Sequence, residues 1–315
     1  MRVHVSPLAF RRLTVAVAVS MAAIVVTGAA VRLTSSGLGC PDWPRCTATS
    51  VVAPASYHAL VEFVNRVIST LVGLFVVGVA LAALLRDPRR RDLTLLAWSL
   101  VAGFAGQAVV GGLSVIYHLS PPWVMAHFLL SMGMLWISLV LVHRADPAWQ
   151  PRDPSVAREL LLLGRLLVGV AACVLFLGTV TTGTGPHAGS GAHVRRLGFP
   201  LERVTQLHAD SALLLTGLVI ATLFAVRLTP TTPTIRRRAT FLAAMIVAQV
   251  AIGYTQYFLN LPAGVVELHV AGATVLWGAT IWLQLGFTAA EPRPMTAPTG
   301  EVVPAQAAPA TSRTG

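Results

Sequence analysis

The chain has 315 residues, 55% of them hydrophobic and only 11% charged, with a mean hydropathy of +0.72. Soluble domains carry about 25% charged residues, so composition excludes a water-soluble enzyme and points to a membrane protein nearly filled by apolar segments of about 20 residues. The net charge of +11 comes from 23 arginines, with no lysine, against 12 acids; because those arginines cluster in short loops between apolar runs, they read as topology signals and anionic-lipid contacts, with no nucleic acid implied.

Eight spans are predicted in chain order. Span one, residues 13–31, follows Arg11 and Arg12; at 19 uncharged residues it is long for a signal-peptide core and is read as a mature helix. The next loop holds Gly39-Cys40-Pro41-Asp42-Trp43-Pro44-Arg45-Cys46. An oxidising outer location, a short spacing and turn-favouring prolines predict a Cys40–Cys46 disulfide, and no partner pair exists to complete a zinc site.

Span two covers residues 59–85. His58, Glu62 and Asn65 are spaced i, i+4, i+7 and share a helix face, and Arg66 is the i+4 neighbour of Glu62. Glu62 has two readings: an ion pair with Arg66 at the membrane interface, or a carboxylate poised for proton transfer or cation stabilisation. Span three, 93–117, carries Gly103, Gly106, Gly111 and Gly112; span four, 123–142, carries His127. Such glycines admit either a neighbouring helix or a flat macrocycle. Cys173 in span five, 160–182, reads as a small buried residue. Span six, 204–226, opens near Glu202, His208 and Asp210; span seven covers 239–258; span eight, 263–287, contains Glu267 and His269. Residues 291–315, rich in Pro, Ala and Thr, are expected to form a disordered cytoplasmic tail.

Arginines concentrate before span one and in the loops after spans two, four and six, which places both termini in the cytoplasm by the positive-inside rule. Arg32, Arg45, Arg195, Arg196 and Arg203 fall on the outer side instead, where binding of a carboxylate or propionate is a role for them.

The chain also repeats. Gln107-Ala108-Val109-Val110-Gly111 and Gln249-Val250-Ala251-Ile252-Gly253 lie 142 residues apart, as do His127 and His269; Asn65 and His208 are 143 apart, and Thr27-Gly28 and Thr182-Gly183 are 155 apart. The expected fold class is therefore all-α integral membrane, with eight transmembrane helices in two tandem four-helix bundles. An even number of spans per half relates the bundles by a pseudo-two-fold axis along the membrane normal. The halves are residues 1–150 and 151–290.

An ionisable side chain inside hydrocarbon costs at least about 2.5 kcal/mol, so His127, His208 and His269 need a reason. A lone histidine is as readily explained by a bond to a neighbouring backbone group. Two at matching depth in one half, with a third repeated in the other, favour metal or haem ligation. One histidine per helix in an apolar bundle suits axial ligation of haem better than zinc or non-haem iron, which want more protein ligands.

These residues resemble the haem A synthase family. The resemblance covers nearly the whole chain and rests on the Thr-Gly-x-x-Val-Arg-Leu-Thr-x-Ser-Gly-x-x-Cys-Pro-x-Trp-Pro-x-Cys run from Thr27 to Cys46, on Glu-x-x-x-Arg at Glu62 and Arg66, and on His127, His208 and His269. The Gly185-Pro186-His187-Ala188-Gly189 string is similar to the family's actinobacterial branch. The resemblance implies oxidation of the C8 methyl group of haem O to the formyl group of haem A for cytochrome c oxidase. It places a retained haem b at His208 and His269 in the C-terminal half and substrate haem beside Glu62 and His127 in the N-terminal half. Implied partners are haem O, haem O synthase and other oxidase assembly factors, an unassigned electron donor and the plasma-membrane bilayer, with homo-oligomerisation open. The family commonly has histidine where this chain has Asn65. Either His127 alone then holds the substrate iron, with Asn65 lining the open face, or His58 reaches in from two turns earlier. The alternatives to the whole reading are an electron-transfer di-haem cytochrome b and a transporter built on parallel repeats.

Overall fold

A computed structural model describes residues 4–149, 156–191 and 194–288. Among them are eight helices and no strand longer than an isolated bridge: α1 (Pro7–Leu33), α2 (Tyr57–Leu85), α3 (Arg91–Ile116), α4 (Pro121–Arg144), α5 (Arg158–Thr184), α6 (Leu201–Leu228), α7 (Pro233–Phe258) and α8 (Ala263–Phe287). Each is long and apolar enough to cross a membrane, and the chain is a multi-pass membrane protein. The helices overrun the predicted spans because hydropathy marks the hydrocarbon layer whereas capping sets the helix end. Ser6 accepts the Ala9 N–H and Pro7 opens α1, so Arg11 and Arg12 lie within the helix; Thr232 caps α7 in the same way, ahead of Pro233.

Helices α3 and α7 end alike. His118 and Leu119 after α3 have φ of 50° and 58°, and Asn260 and Leu261 after α7 have 59° and 61°. The Leu119 N–H donates to the Ser114 carbonyl at 2.7 Å and the Leu261 N–H to that of Gln256 at 2.8 Å, so each costly left-handed pair closes its helix with a bond back across the last turn.

α1 packs against α2 and α4, and α3 against the same two, closing a ring of four; α5 to α8 close a second ring in the same order. The rings meet through α1, α4, α5 and α8. α8 is the most enclosed helix, with 56% of its apolar span buried against 33% or less elsewhere. At the seam the Trp277 indole N–H donates to the Met132 carbonyl at 3.0 Å, and the Trp136 and Trp277 rings meet edge to face.

Large side chains such as Leu213, Leu228, Val247 and Phe258 point outward, which water would penalise and lipid does not. Cys173 belongs to this outward surface: it is exposed, not buried as expected, because the small residue falls on the lipid-facing side of α5, where packing sets no size. At the end of the molecule holding the arginine-rich loops, residue 5 is bonded to the α2–α3 connection, Arg90 pairs with Asp92 and donates to the Arg144 carbonyl, and Arg11 pairs with Asp146 at 2.9 Å. The tail expected at 291–315 lies outside the described residues.

Candidate functional site: a histidine pair and a clamped disulfide loop

In the second ring, α6 carries His208 and α8 carries His269, and their rings face each other with centroids 6.3 Å apart and planes 75° apart. His208 Nδ1 lies 3.1 Å from the Val174 carbonyl of α5. A carbonyl only accepts, so Nδ1 holds the ring proton and Nε2 keeps its lone pair. The Gln249 amide of α7 braces His269, its Nε2 donating to the His269 carbonyl at 2.8 Å and lying 3.2 Å from the ring Nδ1.

Each of the three intramembrane histidines lies over a glycine of a neighbouring helix. A Cβ at Gly178 would come within 3.1 Å of the His208 ring, one at Gly111 within 3.0 Å of His127, and one at Gly253 within 3.4 Å of His269. Gly111, read from sequence as making room for a neighbouring helix or a macrocycle, thus makes room for a histidine, as do Gly178 and Gly253.

In the first ring His127 is braced less completely. Gln107 donates to the His127 carbonyl at 3.1 Å and to Ser131 Oγ at 2.5 Å, while His127 Nδ1 is buried without a partner. Asn65 Oδ1 accepts from the Thr27 hydroxyl at 2.9 Å. α1 and α5 are both 27 residues long and begin 151 residues apart, a spacing at which Thr27, beside Asn65, answers to Gly178, beside His208; the Thr-Gly strings themselves lie 155 apart. Where the second ring has a histidine over a glycine, the first has an asparagine bonded to a threonine.

The loop after α1 is clamped onto α2. Cys40 and Cys46 form the expected disulfide and are both buried. Glu62, only 6% exposed, accepts from the Cys40 N–H at 2.8 Å and from Arg66 at 2.5 and 3.1 Å. Arg66 also donates to the carbonyls of Cys40, Asp42 and Arg45, so one ion pair holds the whole disulfide loop. Gly39 passes so close to the His58 carbonyl that a side chain there would collide with it. The indole of Trp43 rests on Gly112 of α3. His58 itself is exposed at the rim, its Nδ1 3.1 Å from Ser36 Oγ and its ring against Tyr57.

Arg32 and Arg196 converge on the Thr182 carbonyl, and Arg196 lines a cleft of 570 Å³ with Gly185, Tyr257 and Asn260. Neither has an acidic partner among the described residues, and burial pulls the Arg196 guanidinium below the ordinary arginine range. Arg45 is used locally, donating to the Ala48 carbonyl. Sequence reasoning named every one of these histidines and acids. It missed the bracing role of Gln107 and Gln249, although both begin the repeated strings.

Residues 11–281 match the COX15-CtaA family, described as cytochrome oxidase assembly protein. The chain belongs to this family. Heme A synthase of Exiguobacterium sibiricum is 25% identical over 147 residues, 45% of this chain and 50% of that protein, so here the chain spans about half of its relative. Heme A synthase of Symbiobacterium thermophilum is 29% identical over 87% of this chain and 94% of its own length. That of Shewanella oneidensis is 22% identical over 80% and 89% respectively.

The residues present fit the haem that this family implies. The His208 and His269 rings, 6.3 Å apart between centroids, are close enough for one metal ion to be held by both. No group of three or more His, Cys, Asp or Glu converges among the described residues, and two imidazoles suit an iron whose other positions belong to a macrocycle.

Proposed function

We propose that the chain is a haem A synthase of the plasma membrane, with both termini cytoplasmic, that oxidises the C8 methyl group of haem O to the formyl group of haem A for cytochrome c oxidase. Family membership supports the reaction class, and the observation that carries the site assignment is the facing of His208 and His269 at 6.3 Å. Residues 151–290 form the half that retains haem b between these two histidines; residues 1–150 form the half that receives haem O beside His127. When bound, haem supplies the redox chemistry, and the protein supplies position and electrostatics.

In the N-terminal half Glu62 is the proton-handling group. Its carboxylate is fixed by Arg66 and the Cys40 N–H and therefore needs no reorganisation when charge develops nearby. Trp43 and the disulfide loop close the outer end over α3 and limit access of water. The alternative of an electron-transfer di-haem cytochrome needs equivalent ligand pairs in both halves, and Asn65 bonded to Thr27 stands where the second half has His208 over Gly178. On this reading the partners are haem O, the enzyme that makes it, other oxidase assembly factors and an electron donor.

The test is mass analysis of haems extracted from a host that makes haem O, with and without this chain. Haem A should appear only with it and disappear in His208→Ala and His269→Ala, which should also lose a low-spin bis-imidazole signal from the purified protein. Haem O accumulating unchanged beside well-expressed wild-type chain would refute the assignment.

A further inference from the structure

Gln249 and Gln107 occupy the same place in their rings, 142 residues apart, each on the helix before a candidate ligand. Each donates its amide N–H to the backbone carbonyl of that histidine, and in each the amide oxygen is buried with no partner. Leaving a carbonyl oxygen buried and unsatisfied is unfavourable, and the same cost is met twice. His127 Nδ1 is also buried without a partner, while His269 Nδ1 has the amide nitrogen beside it at 3.2 Å.

A ligand histidine that binds through Nε2 must carry its proton on Nδ1, and that N–H needs an acceptor. His208 has one in the Val174 carbonyl. For His269 the candidate acceptor is the orphaned oxygen of the Gln249 amide, whose nitrogen already lies 3.2 Å from Nδ1, and Gln107 has the same orphaned oxygen on the helix beside His127. The amide then fits its histidine with donor to carbonyl and acceptor to ring N–H, and every polar atom of the pair is satisfied.

We propose that Gln249, and Gln107 in the other half, are positioning residues that grip the ligand histidine by both polar handles, its backbone carbonyl and its Nδ1–H, and so present Nε2 to the iron. The proposal rests on the haem reading given above. Its consequence is electronic as well as steric: the stronger the acceptor at Nδ1–H, the better the imidazole stabilises the oxidised iron, and the lower the reduction potential. Gly272 gives the amide its room, since a Cβ there would collide with Gln249 Oε1.

The experiment uses the purified full chain with its bound haem and compares wild type with Gln249→Glu, Gln249→Leu and Gly272→Ala by redox titration and low-temperature EPR. Gln249→Glu should keep the low-spin signal and lower the potential. Gln249→Leu should raise it, or lose low-spin haem while Gln249→Glu retains it. Gly272→Ala, whose Cβ would take the place Gln249 Oε1 holds in the structure, must move the amide without altering it and so should shift the potential, which keeps the idea testable if the leucine variant does not assemble. Equal potentials and spectra in all haem-loaded variants, or shifts of one sign in both Gln249→Glu and Gln249→Leu, would overturn the proposal and leave the haem reading standing. A low-spin signal that survives in His269→Ala would instead overturn the haem reading.

Discussion

Glu62 and Asn65 lie less than one helical turn apart on α2 and are held in opposite ways, one by charge and the other by a single neutral bond. Glu62→Gln keeps an oxygen for the Cys40 N–H and so spares the loop, but it removes the charge that faces Arg66. Haem A formation should fall by about 10²–10⁴-fold, the usual worth of a positioned proton-transfer group, with protein level and haem b content unchanged. Activity within a factor of three of wild type would make Glu62 a loop anchor and nothing more. At Asn65 the neighbour decides the outcome. His208 has its space because Gly178 has no side chain, whereas residue 65 faces Thr27. Asn65→His alone should therefore fail to add a second ligand, and Asn65→His with Thr27→Gly should yield a second low-spin haem signal. Six-coordinate haem in the single variant would show that Thr27 is no obstacle.

Among the elements, the connection between α1 and α2 is restrained twice, by Cys40–Cys46 and by the Arg66 bonds to three of its carbonyls. A disulfide closing so short a loop stabilises by about 2 kcal/mol. Replacing both cysteines by serine should lower thermal stability and reduce haem A yield several-fold without abolishing it, because the guanidinium still grips the loop. Arg66→Gln should do more damage than the double serine variant, since it loosens the loop and leaves Glu62 buried without its counter-charge. Equal activity of the two would place the restraint in the disulfide. Much of this was legible in the sequence: the apolar runs predicted the helices, and Arg66 four residues after Glu62 made the ion pair one of the two readings of that acid. The contacts of Arg66 with backbone carbonyls were not, because carbonyl acceptors leave no residue-type signature. The grip of Gln107 and Gln249 was hidden for a related reason, since a glutamine followed by small residues reads as helix packing.

At the scale of the whole molecule, the motif at 142 residues pairs His127 with His269, each over a glycine, whereas α1 and α5 begin 151 residues apart, so the pairing of Thr27 with Gly178 comes only from the contacts of Asn65 and His208. Helix lengths are set by caps and loops, and unequal loops erase a constant offset. The two rings are joined at the end that holds the disulfide loop as well as along α1, α4, α5 and α8. The Gly37 N–H donates to the Gly189 carbonyl at 2.8 Å, and Arg32 donates to the carbonyls of Thr182 and His187. Arg32→Ala should therefore weaken both halves, lowering haem b retention although the residue belongs to α1. Unchanged haem b with lost haem A formation would confine its role to the first half.

That junction also imposes an order on biosynthesis. The connection after α1 finds its partners about 150 residues later in the chain, so the N-terminal four helices leave the ribosome and enter the bilayer before the segment that completes that end of the molecule has been made. Until residues 182–190 arrive, the Arg32 guanidinium and the Gly37 N–H must be satisfied by water or lipid headgroups, whereas the loop carrying Cys40 and Cys46 already has its clamp in Glu62 and Arg66 of α2. In a series of nascent chains of increasing length, protease resistance of residues 40–46 should appear once α2 and α3 are inserted, and that of residues 34–37 only once the fifth helix and the segment beyond it have emerged.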